Sequence, residues 1–329
     1  MQTPDKLEFE RHILERIYDP SQFEIVHTDS PDFLLARKGN RPFGVEVTEL
    51  FPTESHARML HVPDYMRSLW EGGEYVHKDD KAILNVVRVE VSDQDGNVKA
   101  ADMPGIITDV PGVASHYDRL AEVVERKNAA FAHYETNLDH VNLLIADHFD
   151  AQSSIQTEFS NQDILPPRMR TALLASPFRS VIVINHFGYD GSRYVELDVL
   201  WLLEAFKVMM EAIAENKEVM TALDGFEVAA LCYEALIAEN APVTFRQSGD
   251  FAMVWFGNFG IAYQDDRGIV IYDQSDWELP PEIEVPAYKL LTEELKASVV
   301  KRFSEMHATY VLTSELSMAV RAIEPAADL

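Results

Sequence analysis

"SPDFLLARKGNRPFGVEVTEL", Ser30 to Leu50, holds two β-like runs, "DFLLAR" and "FGVEVTEL", on either side of a turn-rich "KGNR". Asp32 opens the first run, and Glu46 sits inside the second between Val45 and Val47. A carboxylate among valines is costly to bury unless it is paired or bound to a metal. If the two strands pair, both acids converge at one end of a sheet. There they suit a hard divalent cation, Mg²⁺ or Mn²⁺, which takes one or two carboxylates and leaves its other positions to water and substrate phosphate. Alternation puts Glu46 and Thr48 on one face and Val45 and Val47 on the other, with the Val47 carbonyl available as a further ligand.

Outward from this stretch, Pro4 to Tyr18 places Leu7, Ile13, Leu14 and Ile17 on one helical face, and "FEIVHT" reads as a strand. With Gly39 and Asn40 at a tight connection, a three-stranded meander follows. Pro52 to Gly73 is expected to be helical in part, interrupted at Pro63, and "AILNVVRVEVSDQDGNVKA" carries a hairpin pattern. A helix over Ala114 to Glu135 then feeds the apolar strand "VNLLIADHF", and "SVIVINHF" reads as another. Such continuous apolar runs suit strands covered on both faces. The order predicts an α/β sandwich with a mixed sheet over residues 1–188, carrying an insertion at about 52–113. Residues 189–329 read as a C-terminal α+β region: helices over Leu197 to Met220 and Phe226 to Asn240, three short strands in "FAMVWFGNFGIAYQDDRGIVIYD", and a helix from Thr292 to Ile323.

The first helix, the Pro31-Asp32 pair, the turn and the Glu46-Val47-Thr48 strand resemble the PD-(D/E)xK nuclease superfamily, over about Asp5 to Asn185. The resemblance implies a restriction-endonuclease-like αβββαβ core and metal-dependent phosphodiester hydrolysis of nucleic acid, DNA rather than RNA. Asp32 and Glu46 would be its metal ligands, with a further acid from the first helix. Glu15 is expected to be that acid, with Glu8 and Glu10 as alternatives. The family's third motif position is a lysine, and here it is Thr48. A threonine hydroxyl cannot supply the positive charge that offsets a phosphoryl transition state. Some members bring the lysine from the following helix. Lys127, seven residues before Tyr134 and on the same helix face, is expected to take that role, with Arg126 and Lys38 as alternatives.

The rest of the chain weighs on this reading. Its 329 residues are 47% hydrophobic, enough for a large core, and no apolar run reaches membrane-spanning length. The N-terminus is charged and amphipathic rather than a signal peptide, so a cytoplasmic protein with no membrane partner is expected. Cys232, alone, lies in an apolar run and reads as a buried thiol. Lys and Arg number 28 against 55 acids, a net charge of -27 spread over both halves. That field repels nucleic acid at long range, because phosphate binding is driven by Lys and Arg displacing counterions. The acidity therefore supports a competing expectation, an inactive nuclease-like fold serving as an acidic interaction or inhibitory module. It also fits a homo-oligomer or a basic protein partner that brings the missing positive contacts.

His140, His148 and His186 stand at expected strand ends without the helical His spacing of a zinc site. Phe251, Trp255, Phe256, Phe259 and Tyr263 read either as a base-stacking surface or as the core of a small sheet. No phosphate loop, dinucleotide fingerprint or serine-nucleophile elbow is present.

Overall fold

Helical spacing in the first segment decides the first layer. Helix α1 (Pro4–Glu15) turns Ile13 and Leu14 inward, where they share a buried cluster with Phe33, Leu35, Val45, Val47, Leu144, Ala146, Ile182 and Ile184. The structure is a computed structural model. It describes residues 4–37, 39–71, 76–93, 97–107, 113–134, 137–148, 165–185, 194–220, 223–264, 267–273, 279–285, 287–289 and 291–309.

The strands that carry that cluster form a six-stranded mixed sheet: β1 (Glu24–His27), β2 (Phe33–Ala36), β3 (Phe43–Leu50), β6 (Val141–Asp147), β7 (Val181–Asn185) and β8 (Tyr194–Glu196), in that spatial order. β1, β2 and β3 form the expected antiparallel meander. β6 and β7 run parallel, and β8 closes the sheet antiparallel to β7. All seven residues of β6 are buried, as a strand covered on both faces requires. Helix α5 (Val113–Ala130) leads into β6 through a short 3-10 turn over Phe131–His133, so the helix ends earlier than the expected Glu135.

The chain divides into two compact units, residues 1–49 with 120–329, and residues 50–119. The boundary expected at residue 188 therefore lies inside the first unit. β8 extends the six-stranded sheet beyond it, and α7 (Leu197–Ala214) packs on β7 and β8. Asp198, in the first turn of α7, fastens the helix to β7 by accepting from Ser180 Oγ and Val181 N, each at 2.9 Å. The first unit also holds α6 (Pro167–Leu174), the short α8 (Lys217–Met220), α9 (Gly225–Ala238) and α10 (Glu293–Thr309). The remainder of the helix expected to Ile323 lies outside the described residues.

A four-stranded antiparallel sheet, ordered β12-β11-β10-β9, stands where three strands were expected: β9 (Thr244–Ser248), β10 (Phe251–Phe256), β11 (Phe259–Gln264) and β12 (Gly268–Asp273). β9 escaped the sequence reading because Phe245 is its sole fully buried side chain and the residues that follow, Arg246 to Ser248, are polar. Trp255, Phe256 and Phe259 are buried, which makes the aromatic run core rather than a base-stacking surface.

The second unit holds α2 (Glu54–His61), α3 (Tyr65–Glu71), α4 (Lys78–Ile83) and a hairpin of β4 (Asn85–Ser92) and β5 (Val98–Ile107). Its polar centre is Asp80, which is fully buried and accepts from Ser55 Oγ at 2.6 Å, Arg58 Nε at 2.8 Å and Tyr65 Oη at 2.5 Å. A buried charge is tolerable when its lone pairs are satisfied in this way. Among the described residues no helix is long and apolar enough to cross a membrane.

Gly44 permits the close approach of β3 to its neighbours. Its N–H donates to the His140 carbonyl at 2.8 Å, and a Cβ there would lie 2.5 Å from Pro31 Cγ and 3.0 Å from Leu138 Cδ1. Gly44→Ala is therefore expected to cost about 1–3 kcal/mol through overpacking, read as a lowered midpoint in denaturant unfolding.

Candidate active site

The register of β2 and β3 brings the two acids together. Phe33 pairs with Val45 and Leu34 with Gly44, and one further step along the same antiparallel ladder sets Asp32 opposite Glu46. Both are nearly buried, at 8% and 7% exposure. Asp32 Oδ2 accepts from the Val47 amide at 2.9 Å, and the Asp32 carbonyl accepts from Thr28 N at 2.8 Å, which fixes the carboxylate at the mouth of β2. Val47 thus enters the site through its N–H. Thr48, half-buried, follows it on β3.

Lys127 Nζ, near the C-terminal end of α5, donates to Glu46 Oε1 at 2.5 Å. Arg126 beside it is exposed, and Lys38 lies outside the described residues. Tyr134, just beyond α5, buries its hydroxyl beside Glu46. Burial, then the charge of Glu46, a hydrogen bond to it and the charge of Asp32 push its pKa up, so it stays protonated beside the carboxylates.

Glu15 is not brought to this group. Its carboxylate pairs with Arg11 at 2.8 Å on the exposed side of α1. The first-helix acid that turns inward is Glu10, at 2% exposure, and its charge acts on Asp32. Helical phase is the reason. Glu10 shares a face with Ile13 and Leu14 at spacings of three and four, whereas Glu15 lies ~140° further round the helix. Glu8 is exposed as well. Glu10 in turn pairs with Lys6 at 3.2 Å. Burial opposes the charge on Lys6, but Glu10, Asp32 and Glu49 outweigh it and raise its pKa.

Three buried carboxylates, Asp32, Glu46 and Glu10, thus gather with two ammoniums, Lys127 and Lys6. The imbalance shows on Asp32. Burial, followed by the charge of Glu46 and then of Glu10, pushes its carboxyl up to about 7, against the opposing Val47 hydrogen bond and Lys127. Such a site has a deficit of positive charge next to hard oxygen donors, which is the condition a divalent cation relieves. Among the described residues no group of three or more His, Cys, Asp and Glu side chains is arranged as a metal cage. Two carboxylates suffice for Mg²⁺, which keeps waters and takes phosphate oxygens, so the donor set fits that ion.

The histidines are committed elsewhere. His148 Nε2 lies 2.8 Å from Glu49 Oε2. His140 stacks on Phe43 with ring centroids 4.9 Å apart, and burial together with Arg179 lowers its pKa to about 4. His186 lies outside the described residues. Glu10, not the expected Glu15, is the first-helix acid of the group, and Lys6 and the Tyr134 hydroxyl join it without having been expected there. Helical phase relative to Ile13 and Leu14 was the signal for Glu10. No local signal marks Lys6. Comparison with protein-family models, with curated proteins and with solved structures finds no match to this chain.

The raised Asp32 pKa gives a stability prediction with a definite sign. The folded carboxyl, at about 7, holds its proton where the unfolded one, near 3.8, has lost it. The folded state therefore binds more protons through this window, and its stability falls as pH rises from about 4 to about 7. Asp32→Asn removes that penalty. In metal-free buffer the variant should unfold at a higher temperature than the parent at pH 8, and the difference should shrink on going to pH 5.

Proposed function

We propose that this chain is a metal-dependent nuclease of the PD-(D/E)xK type, acting on DNA in preference to RNA. The observation that carries the reading is the Lys127 ammonium on Glu46 beside Asp32, a positive group from the helix where the strand offers Thr48. The order α1-β1-β2-β3, an inserted unit, then α5-β6 supports the restriction-endonuclease-like core.

Asp32 and Glu46, with the Val47 carbonyl, would hold Mg²⁺ or Mn²⁺ while the Val47 N–H steadies Asp32, and Glu10 would set the charge around them. When bound, such an ion polarises a phosphoryl oxygen and makes water a better nucleophile at neutral pH. The protein's own groups do the rest. Asp32 and Glu46 are fixed by the β2–β3 ladder, so they need no rearrangement to face the substrate phosphate. Lys127 presents its charge where negative charge builds on the phosphoryl oxygens during in-line attack. The Tyr134 hydroxyl, neutral and buried, is available to donate to a carboxylate or to the substrate.

A second reading, a non-catalytic acidic interaction module, draws support from the net charge of -27 and from Thr48 in the lysine position. One assay separates the two. The protein is incubated with plasmid and with single-stranded DNA and RNA in Mg²⁺, Mn²⁺ or EDTA, beside Glu46→Ala and Lys127→Ala. Cleavage of DNA that needs the cation, abolished in Glu46→Ala and reduced about 10²- to 10³-fold in Lys127→Ala, is the expected result. Inactivity on every substrate, with no cation-induced rise in unfolding temperature, would leave the interaction module as the surviving reading.

A further inference from the structure

The hairpin of β4 and β5 leaves unusual surface uncovered. Its register pairs Val87 with Gly105, Val89 with Met103, Val91 with Ala100 and Asn85 with Ile107, so one face of the ribbon is a stripe of Val87, Val89, Val91, Met103 and Ile107. Val91 is 47% exposed and Ile107 57%, and Val89 and Met103 are exposed too. Among the described residues each strand pairs only with the other, which leaves the ribbon two open edges. A two-stranded ribbon with an uncovered apolar stripe is marginal in water and gains from further strands.

The edges differ. β5 carries two extra residues relative to β4, a Pro at 104 and Asp102 at a φ of 56°, devices that break up an edge and keep other strands off. β4, "NVVRVEVS", has no Pro, no Gly and no extra residue. The strand residues of the hairpin are also electrically balanced, with Arg88 and Lys99 against Glu90 and Asp102, in a chain whose net charge is -27. Two copies therefore meet here without the repulsion they would feel over most of the acidic sequence.

We propose that β4 is a self-pairing edge through which two copies of this chain associate about a two-fold axis. An antiparallel ladder centred on Val89 sets Arg88 opposite the partner's Glu90 and Glu90 opposite the partner's Arg88. Val89 then meets its own counterpart, and Val87 meets the partner's Val91. The side-chain order Arg-Val-Glu is what makes the register self-complementary. Shifting the centre by one residue to Arg88 or Glu90 would place like charges face to face. Arg88, its side chain 59% exposed, donates from Nη1 to the Asp102 carbonyl at 3.1 Å and has Nε 3.8 Å from the Asp102 carboxylate, so the pair forms by exchanging these exposed contacts for the partner's Glu90; Glu90 is itself exposed. Pairing joins the two apolar stripes into one face of a four-stranded sheet, an isologous contact by strand addition. An eight-residue edge buries less than the ~1,600 Å² of a standard interface, so the dimer forms in a concentration-dependent manner.

Charge exchange tests the register. Sedimentation velocity of the full chain at ~0.15 M salt, where long-range repulsion is screened, should show a monomer–dimer equilibrium. Arg88→Glu and Glu90→Arg, each placing two like-charged pairs across the axis, should weaken it by about tenfold. The double variant R88E/E90R restores opposite charges at both positions and should recover the parental equilibrium. Both substitutions are at exposed positions, and unchanged thermal unfolding of the separated monomers will confirm that the fold is intact. A strict monomer at all accessible concentrations overturns the proposal. So does a dimer indifferent to the single reversals, or one that the double variant fails to restore. None of these readouts depends on nuclease activity.

Discussion

Two carboxylates facing each other across an antiparallel ladder are the constraint around which the rest of the site is arranged. The pairing of β2 with β3 leaves Asp32 and Glu46 no choice but to be neighbours, and burial removes the water that would screen them. Like charges so placed must be offset or one of them must keep its proton. The chain does some of each. Lys127 satisfies Glu46, the Val47 amide satisfies one oxygen of Asp32, and the Asp32 carboxyl still titrates near neutrality. A purely structural acid pair would be better replaced by apolar residues of similar size. Its presence in the buried meander is the stored electrostatic potential on which the proposed cation site rests.

This local arrangement bears on the global charge. A chain at -27 does not attract phosphates from a distance, so the proposed recognition of nucleic acid rests on short-range chemistry. A cation shared between the carboxylates and a phosphate, with Lys127 alongside, is such a short-range device. The same acidity disfavours contact between copies except where charges cancel, which gives the balanced β4 edge significance beyond its small size. The proposed catalytic and assembly surfaces fall on different compact units of the chain, one on residues 1–49 with 120–329 and the other on 50–119.

Much of the architecture was legible because it is written in short windows. Helical spacing in the first segment, alternation through the meander, the turn at Gly39-Asn40 and the apolar runs at β6 and β7 are properties of neighbouring residues, and they emerge where expected. The elements overlooked lack such a signature. α4 is a charged helix of six residues, β8 is three residues long, β9 has a polar second half, and α6 is a helix of eight residues opened by Pro166 and Pro167. Their structure comes from the surfaces they pack on rather than from their own pattern.

By itself the sequence determined that acids would sit on adjoining strands of an α/β sheet, because strand pattern and turn chemistry act over a few residues. Only the tertiary structure decided that Glu10 and not Glu15 turns toward them, that Lys127 reaches Glu46 across 81 residues of chain, and that residues beyond 188 continue the same unit. Those outcomes depend on the phase of one element relative to another, and periodicity within a segment carries no information about its rotation against a distant partner.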